Sequence, residues 1–133
     1  MIMLLILVIF FSSTLTSDAH TINDKVEKCI DQCNYTTFCT AKCINSSVPD
    51  WENEISNNIL SLKKIMTKYE YKILIKSQKK WKEYRKAQEI LDSETLGKLN
   101  GTMFSIVIAG NKIEILENRA NELERIYRYF SDK

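Results

Sequence analysis

The sequence is poor in the residue types on which most enzyme active sites depend. Its 133 residues include one histidine, His20, and three glycines, all between positions 97 and 110. One histidine near the amino terminus leaves the rest of the chain without the base that a Ser-His-Asp or Cys-His arrangement needs. Three glycines confined to positions 97 to 110 do not form a glycine-rich phosphate-binding loop. The sequence therefore predicts a protein that is not an enzyme and carries no cofactor.

A strong charge of one sign is also missing. The 19 lysines and arginines nearly balance the 17 aspartates and glutamates, and the two signs are interspersed. The densest basic stretch is interrupted by Glu83 and contains Lys76, Lys79, Lys80, Lys82 and Lys86. Such a set can dock an anionic surface, but it is more often a solvated helix face. We expect no nucleic-acid partner.

The one long apolar run lies at the amino terminus, over residues 2–11. It is shorter than the about 20 residues of a membrane span. Ser17-Asp18-Ala19 fits the small-x-small rule for signal-peptide cleavage. We predict a signal peptide over residues 1–19, a mature chain that begins near His20, and a secreted or periplasmic protein without a stable membrane span. An uncleaved anchor is the minority alternative, because no Lys or Arg precedes the run.

Four cysteines lie within fifteen residues of one another. Cys29 and Cys33 are one helical turn apart, as are Cys39 and Cys43. In an exported protein such a quartet is typical of disulfides, although four thiolates can also bind zinc or copper. Two short antiparallel helices, joined by a turn at residues 34–38, would pair Cys29 with Cys43 and Cys33 with Cys39. Metal is the minority alternative.

The rest of the chain predicts helices. Pro49 and the acids after it begin one with an apolar stripe: Trp51, Ile55, Ile59, Leu62 and Met66. Thr67 and Glu70 form a capping box that begins a second helix, which runs to about Leu91 and is followed by a loop over residues 92–101.

The last predicted helix has the most regular apolar seam. Its members are Ile106, Ala109, Ile113, Leu116, Ala120, Leu123, Tyr127 and Phe130. This seam suits an intramolecular bundle or a homodimer equally well. We predict an all-α protein, with a cystine-stapled hairpin over residues 20–48 and an antiparallel bundle of about three longer helices over residues 49–133.

One helix face carries an unusual mixture of side chains. Leu74, Gln78, Trp81 and Arg85 follow one another at steps of four, three and four, so they share that face. We expect Trp81 to be buried, with Tyr84 beside it on the apolar side. We expect Arg85 to pair with an acid such as Glu114 or Glu117. The arrangement favours a packed helix interface over a recognition site.

Three segments carry a resemblance to a known family: Gln78-x-x-Trp81-x-x-Tyr84-Arg85, Gly101-Thr102 and Arg119-x-x-x-Leu123. Over about residues 50–127 the chain resembles the LprI-like lysozyme-inhibitor family. The resemblance implies a helical fold in which these motif residues are structural. It also implies a protein partner, a lysozyme, whose cleft the protein would occlude.

The chain departs from the family pattern at three positions. Lys86 stands in place of an aspartate, and Glu89 and Asn111 stand in place of a pair of cysteines. The cystine hairpin is also denser than the family's usual amino-terminal cysteines. These departures favour an alternative, in which a small secreted structural or effector-like protein uses the bundle to bind a different protein.

Lysozyme clefts hold two carboxylates. The predicted loop offers Lys98 and the hydroxyls of Ser93 and Thr95 to such a cleft, so we expect these side chains to contact the partner. Glycosylation sequons begin at Asn34, Asn45 and Asn100, and they matter only where the source glycosylates exported proteins.

Overall fold

The computed structural model describes residues 18–132, with side chains from residue 21 onward. These residues form five helices, α1 (Asp18–Gln32), α2 (Thr37–Ser46), α3 (Val48–Ile65), α4 (Lys68–Thr95) and α5 (Met103–Ser131), with one 3₁₀ turn at Leu96–Lys98. The predicted all-α class is therefore confirmed. Within residues 18–132, no helix combines the length and the apolar character needed to cross a bilayer. The predicted leader lies outside the described residues, apart from its last two positions.

The helices α1 and α2 form the stapled hairpin expected from the cysteine spacing. Disulfides join Cys29 to Cys43 and Cys33 to Cys39, in the nested pattern. Between the helices, Asn34 and Tyr35 have φ angles of 53° and 55°. Asparagine tolerates this left-handed region, whereas a tyrosine is uncommon there. The two covalent links therefore hold a turn that the backbone alone does not favour.

Removing either disulfide should destabilise the domain, and the outer one should matter more. Cys29 and Cys43 are 14 residues apart and Cys33 and Cys39 are 6 apart. The loop-entropy model gives about 3 kcal/mol for the outer bridge and about 2 kcal/mol for the inner one. Paired Cys→Ser variants followed by urea unfolding measure both values. A larger loss from the inner pair would contradict the loop-entropy explanation.

The core lies where α1, α3, α4 and α5 meet. Trp51, Leu62, Leu116 and Leu123 are its largest fully buried side chains. The prediction that Trp81 is the buried indole is wrong. Trp51 is 0% exposed, whereas Trp81 is only partly buried against the same core. The Trp51 side chain is excluded from solvent because both α1 and α5 pack against α3.

The helix α5 is the central packing element. It packs most extensively against α3 and α2 and more sparsely against α4. Ala109 and Ala120 of the predicted seam are both buried, and such small side chains let neighbouring backbones approach closely. The seam is thus used within the chain.

The helix α4 begins at the predicted capping box and ends later than predicted. The Thr67 hydroxyl accepts from the Glu70 amide at 3.3 Å, and the Glu70 carboxylate accepts from the Thr67 amide at 2.8 Å. The loop expected over residues 92–101 is wrong for its first four positions, which are helical. The Asp92 carboxylate accepts from the side chains of Gln88 and Asn111. With its oxygens so occupied, Asp92 does not compete for backbone amides and the helix continues.

The helices α3 and α4 are joined by a very short connection. Only Met66 and Thr67 separate them. Nevertheless their backbones make few close approaches along their lengths, and an open groove runs between them. Long side chains, rather than closely packed backbones, connect these two helices.

Candidate functional site

Trp81 lies beside two arginine side chains from different helices. The guanidinium carbon of Arg85 is 6.0 Å from the centre of the Trp81 ring, and that of Arg119 is 5.9 Å away. Both distances lie within the range of cation–π attraction, which is worth about 0.5–2 kcal/mol. The motif residues that are far apart in sequence are therefore neighbours in space.

Arg119 is the most buried charged group of this cluster, with 5% of its surface exposed. Its Nε donates to Gln78 Oε1 at 2.9 Å and its Nη1 to Glu122 at 2.7 Å. Its Nη2 donates to Ser77 Oγ at 3.3 Å. The planar guanidinium thus has a partner along each edge, which is how arginine is accommodated in an interface. It fixes α5 against α4.

Arg85 binds acids other than those expected from the sequence. Its Nη1 donates to Glu52 of α3 and its Nε to Glu89 of α4, both at 2.8 Å. The expected pairing with Glu114 or Glu117 is wrong, since Glu117 faces α1 and accepts there from Asn23 at 3.3 Å. Partial burial acts to lower the pKa of Arg85, but hydrogen bonds and charge from Glu52 and Glu89 raise that pKa overall.

The other motif residues are divided between core and surface. Leu123 is fully buried in the core. Tyr84, expected on the apolar side, is 55% exposed and lines an open recess with Trp81 and residues of α5. Gln78, Trp81, Arg85 and Arg119 together link α3, α4 and α5. This arrangement can hold helices in register.

A polar link joins α4 to α5 at Asn111, one of the two positions at which the resemblance implied a cysteine. Asn111 of α5 donates to the Asp92 carboxylate at 3.2 Å, and Gln88 donates to the same carboxylate at 3.0 Å. Asp92 is buried, and sequence reasoning missed it because an aspartate before a glycine and an Asn-Gly pair indicates a loop. Hydrogen bonds thus join α4 to α5 where a covalent link is absent.

One end of the molecule carries a separate feature, which we call the loop end. It is a recess of about 330 Å³ between the hairpin turn and the α4–α5 connection, lined by Thr37, Phe38, Gly97, Leu99, Gly101, Thr102, Phe104, Ser105 and Ile108. These lining residues include no charged side chain. Phe38 is 81% exposed, and Leu99, which also lines the recess, is 50% exposed. Exposed apolar side chains around an uncharged recess suit a protein contact.

The hairpin turn also presents Tyr35 at the surface. Its hydroxyl donates to the Asp31 carboxylate one turn earlier, and this hydrogen bond raises the pKa of the phenol. Because Tyr35 has a positive φ, its backbone is held in a sparsely populated conformation. Strain of this kind clusters at binding sites, so it adds to the case for the loop end.

The connection from α4 to α5 turns at Gly101, whose φ of 122° is readily adopted only by glycine. Thr102 then precedes the first turn of α5 without a side-chain cap. Ser93 and Thr95, expected in a loop, lie on the last turn of α4, and the Thr95 hydroxyl donates to the Leu91 carbonyl at 2.6 Å. Lys98 follows and pairs with Glu94 at 2.6 Å. All three of these candidate contacts are exposed near the loop end.

The sequon asparagines are exposed as well. Asn34 lies in the hairpin turn and Asn100 in the α4–α5 connection, so both are at the loop end. Asn45 lies on α2, where its side-chain amide donates to the Ala41 carbonyl at 3.0 Å. A glycan at either of the first two positions would shield the recess.

The cysteine sulfurs of Cys33, Cys39 and Cys43 lie within 4.8 Å of one another. All four cysteines are in disulfides, however. A metal needs thiolates, and a disulfide sulfur is a poor substitute. The hairpin in this state is a structural staple.

Together these observations define a class of protein: a small, disulfide-stapled helical domain whose recesses are open surface features. Residues 29–123 match the model of the family described as lysozyme inhibitor LprI, and the protein belongs to that family. The match begins at Cys29 rather than near residue 50, so it includes the cystines of the hairpin. No curated protein and no solved structure matches the chain significantly.

Proposed function

We propose that the protein is an exported, non-catalytic inhibitor that binds a lysozyme with its loop end and occludes the catalytic cleft. Membership of the lysozyme-inhibitor family carries this proposal. The two disulfides support export, because such bonds persist in oxidising compartments.

The loop end is the surface best suited to enter a cleft. Tyr35 in the hairpin turn and Phe38 in the first turn of α2 project into solvent, and aromatic side chains are frequent anchors in protein interfaces. The first turns of α2 and α5 both line the recess, and helix amino termini carry partial positive charge. Lys98, Ser93 and Thr95 lie next to it. An apolar anchor surrounded by donors complements a cleft that holds two carboxylates.

A lysis assay tests the proposal. The refolded protein, with both bridges verified by mass spectrometry, is added to lysozymes of several structural types acting on peptidoglycan. We expect dose-dependent loss of lysis with at least one of them. Full lysis by every enzyme at large molar excess would rule out inhibition, and it would favour the alternative in which the bundle serves another protein partner.

Variants then test the location of the contact. Phe38→Ala should weaken inhibition by about tenfold or more, since buried interface aromatics often contribute over 1.4 kcal/mol. Lys98→Ala should have a smaller effect, because its partner Glu94 already holds the ammonium. The matched control is Tyr69→Ala, an aromatic that is 74% exposed at the other end of α4, roughly 40 Å away. Equal inhibition by Phe38→Ala and wild type would place the contact elsewhere.

A further inference from the structure

The α3–α4 groove is a recess with a volume of about 560 Å³. Its floor is apolar, formed by Ile55 and Ile59 from α3 and by Ile75 and Trp81 from α4. It lies along the helices rather than at the loop end. The lysozyme contact proposed above therefore leaves this groove unused.

A buried amide borders the groove. Gln78 lines it and is 6% exposed. Because arginine can only donate, the bond from Arg119 fixes Oε1 as the Gln78 atom that faces α5. The amide Nε2 is then left as a donor, and it makes no hydrogen bond within residues 21–132. Gln78 itself lines the groove, so this free donor is available to an occupant of the groove.

The rim of the groove is mainly basic. Lys79 and Lys82 stand on the α4 side, and neither forms an ion pair within the described residues. Arg85 and the one acid among the lining residues, Glu52, are bound to each other, and Arg85 is also bound to Glu89, so the available positive charge is that of Lys79 and Lys82. An occupant that brought carboxylates to this rim would meet the positive charge of Lys79 and Lys82.

We infer that the α3–α4 groove is a docking site for an acidic, amphipathic peptide segment of a partner protein. The segment places apolar side chains on the isoleucine and Trp81 floor and its carboxylates against Lys79 and Lys82. Gln78 Nε2 donates to one of its oxygens. The apolar floor favours a peptide over a sulfated or phosphorylated polymer, which has no apolar side chains to bury. This inference does not depend on inhibition of a lysozyme.

A synthetic peptide tests the inference. The probe is a labelled helix-forming peptide of about three turns, with leucines along one face and glutamates elsewhere, so that it spans the groove-lining part of α4. Fluorescence anisotropy should show saturable binding to the full-length, disulfide-bonded protein. The fluorescence emission of Trp81 should change on binding. The emission of Trp51, which is fully buried in the core, should stay constant. No saturable binding, or binding with unchanged tryptophan emission, would overturn the inference.

Matched variants distinguish the groove from general charge attraction. The double variant Lys79→Glu, Lys82→Glu should weaken peptide binding about tenfold. The control, Lys72→Glu with Lys76→Glu, makes the same charge change on the same helix but outside the groove lining. It should weaken binding by less than about threefold. Ile75→Ala should weaken it about fivefold and Ile73→Ala, exposed two residues away, should not. Equal losses from both members of either pair would contradict the assignment. So would equal affinity for a lysine-bearing peptide or for a sulfated polysaccharide.

Discussion

Replacing Trp51 by alanine should destabilise the protein by about 4–5 kcal/mol, close to the upper end for a tryptophan in a core. Trp51 is completely buried and belongs to the cluster that includes Leu62, Leu116 and Leu123. The helices around it, joined to the covalent hairpin, cannot collapse fully into the space that its indole leaves. Part of the cost is therefore a residual cavity, in addition to the lost burial of apolar surface.

The Trp51→Phe variant should cost only about 1 kcal/mol or less. The indole Nε1 of Trp51 is buried and has no hydrogen-bond partner within the described residues. An unpaired buried donor destabilises the folded state by about 1–3 kcal/mol, and phenylalanine removes it along with part of the volume. Loss of apolar volume lowers the stability of the variant, whereas removal of the unpaired donor raises it, so the net change in stability is small.

Guanidinium unfolding followed by circular dichroism measures both variants on protein with intact disulfides. Trp81 remains as a second, fluorescent probe of the same transition. If Trp51→Ala costs less than about 1 kcal/mol, the packing of α3 in the core is wrong. If Trp51→Phe costs as much as Trp51→Ala, the unpaired donor has no measurable energetic effect.

The sequence predicted the helices and their apolar stripes well, because both depend on local chemistry. The Thr67 and Glu70 capping box forms between residues three apart, and the structure has both of its hydrogen bonds. The cysteine spacing led to the observed pairing, since two helix turns joined by a short turn leave one nested arrangement. The stripe of α3 is likewise the face that enters the core.

Partners between helices were harder to predict, because they depend on how each helix is rotated about its axis. Arg85 was placed on the correct helix face, but its acids are Glu52 and Glu89, not those of α5. Choosing Trp81 as the buried indole failed for a related reason. Both tryptophans lie on apolar stripes, and only the contacts of α3 with α1 and α5 decide which ring is sealed.

The candidate binding surfaces were only partly visible in the sequence. The region near Lys98 was singled out, but it appeared as a loop rather than as a helix end and a 3₁₀ turn. Phe38 was predicted to be part of the hairpin turn, which is wrong, since it is the second residue of α2. Nothing local in the sequence shows that this region meets the α4–α5 connection some 60 residues later. The groove could not be foreseen either, since it depends on the spacing of two helices whose sequences are those of ordinary amphipathic helices.

Replacing Arg119 by methionine should cost about 3–4 kcal/mol. The methionine preserves much of the side chain's length and apolar stem but removes every donor. Gln78 Oε1 then loses its only bond within the described residues and stays buried, which costs about 1–3 kcal/mol, and the cation near Trp81 is lost as well. Arg125→Met, an exposed arginine on the same helix, is the matched control and should change stability by under about 0.5 kcal/mol.

A double-mutant cycle separates the hydrogen bond from packing. Gln78→Leu alone leaves Arg119 Nε buried without its acceptor, so it should also destabilise. The double variant with Arg119→Met removes both partners, and replacing both by apolar groups is much less costly than removing one. We therefore expect the double variant to be at least about 1 kcal/mol more stable than the sum of the single losses predicts. Additive losses in urea unfolding would show that Gln78 and Arg119 do not act as a pair and that each contributes to stability through packing alone.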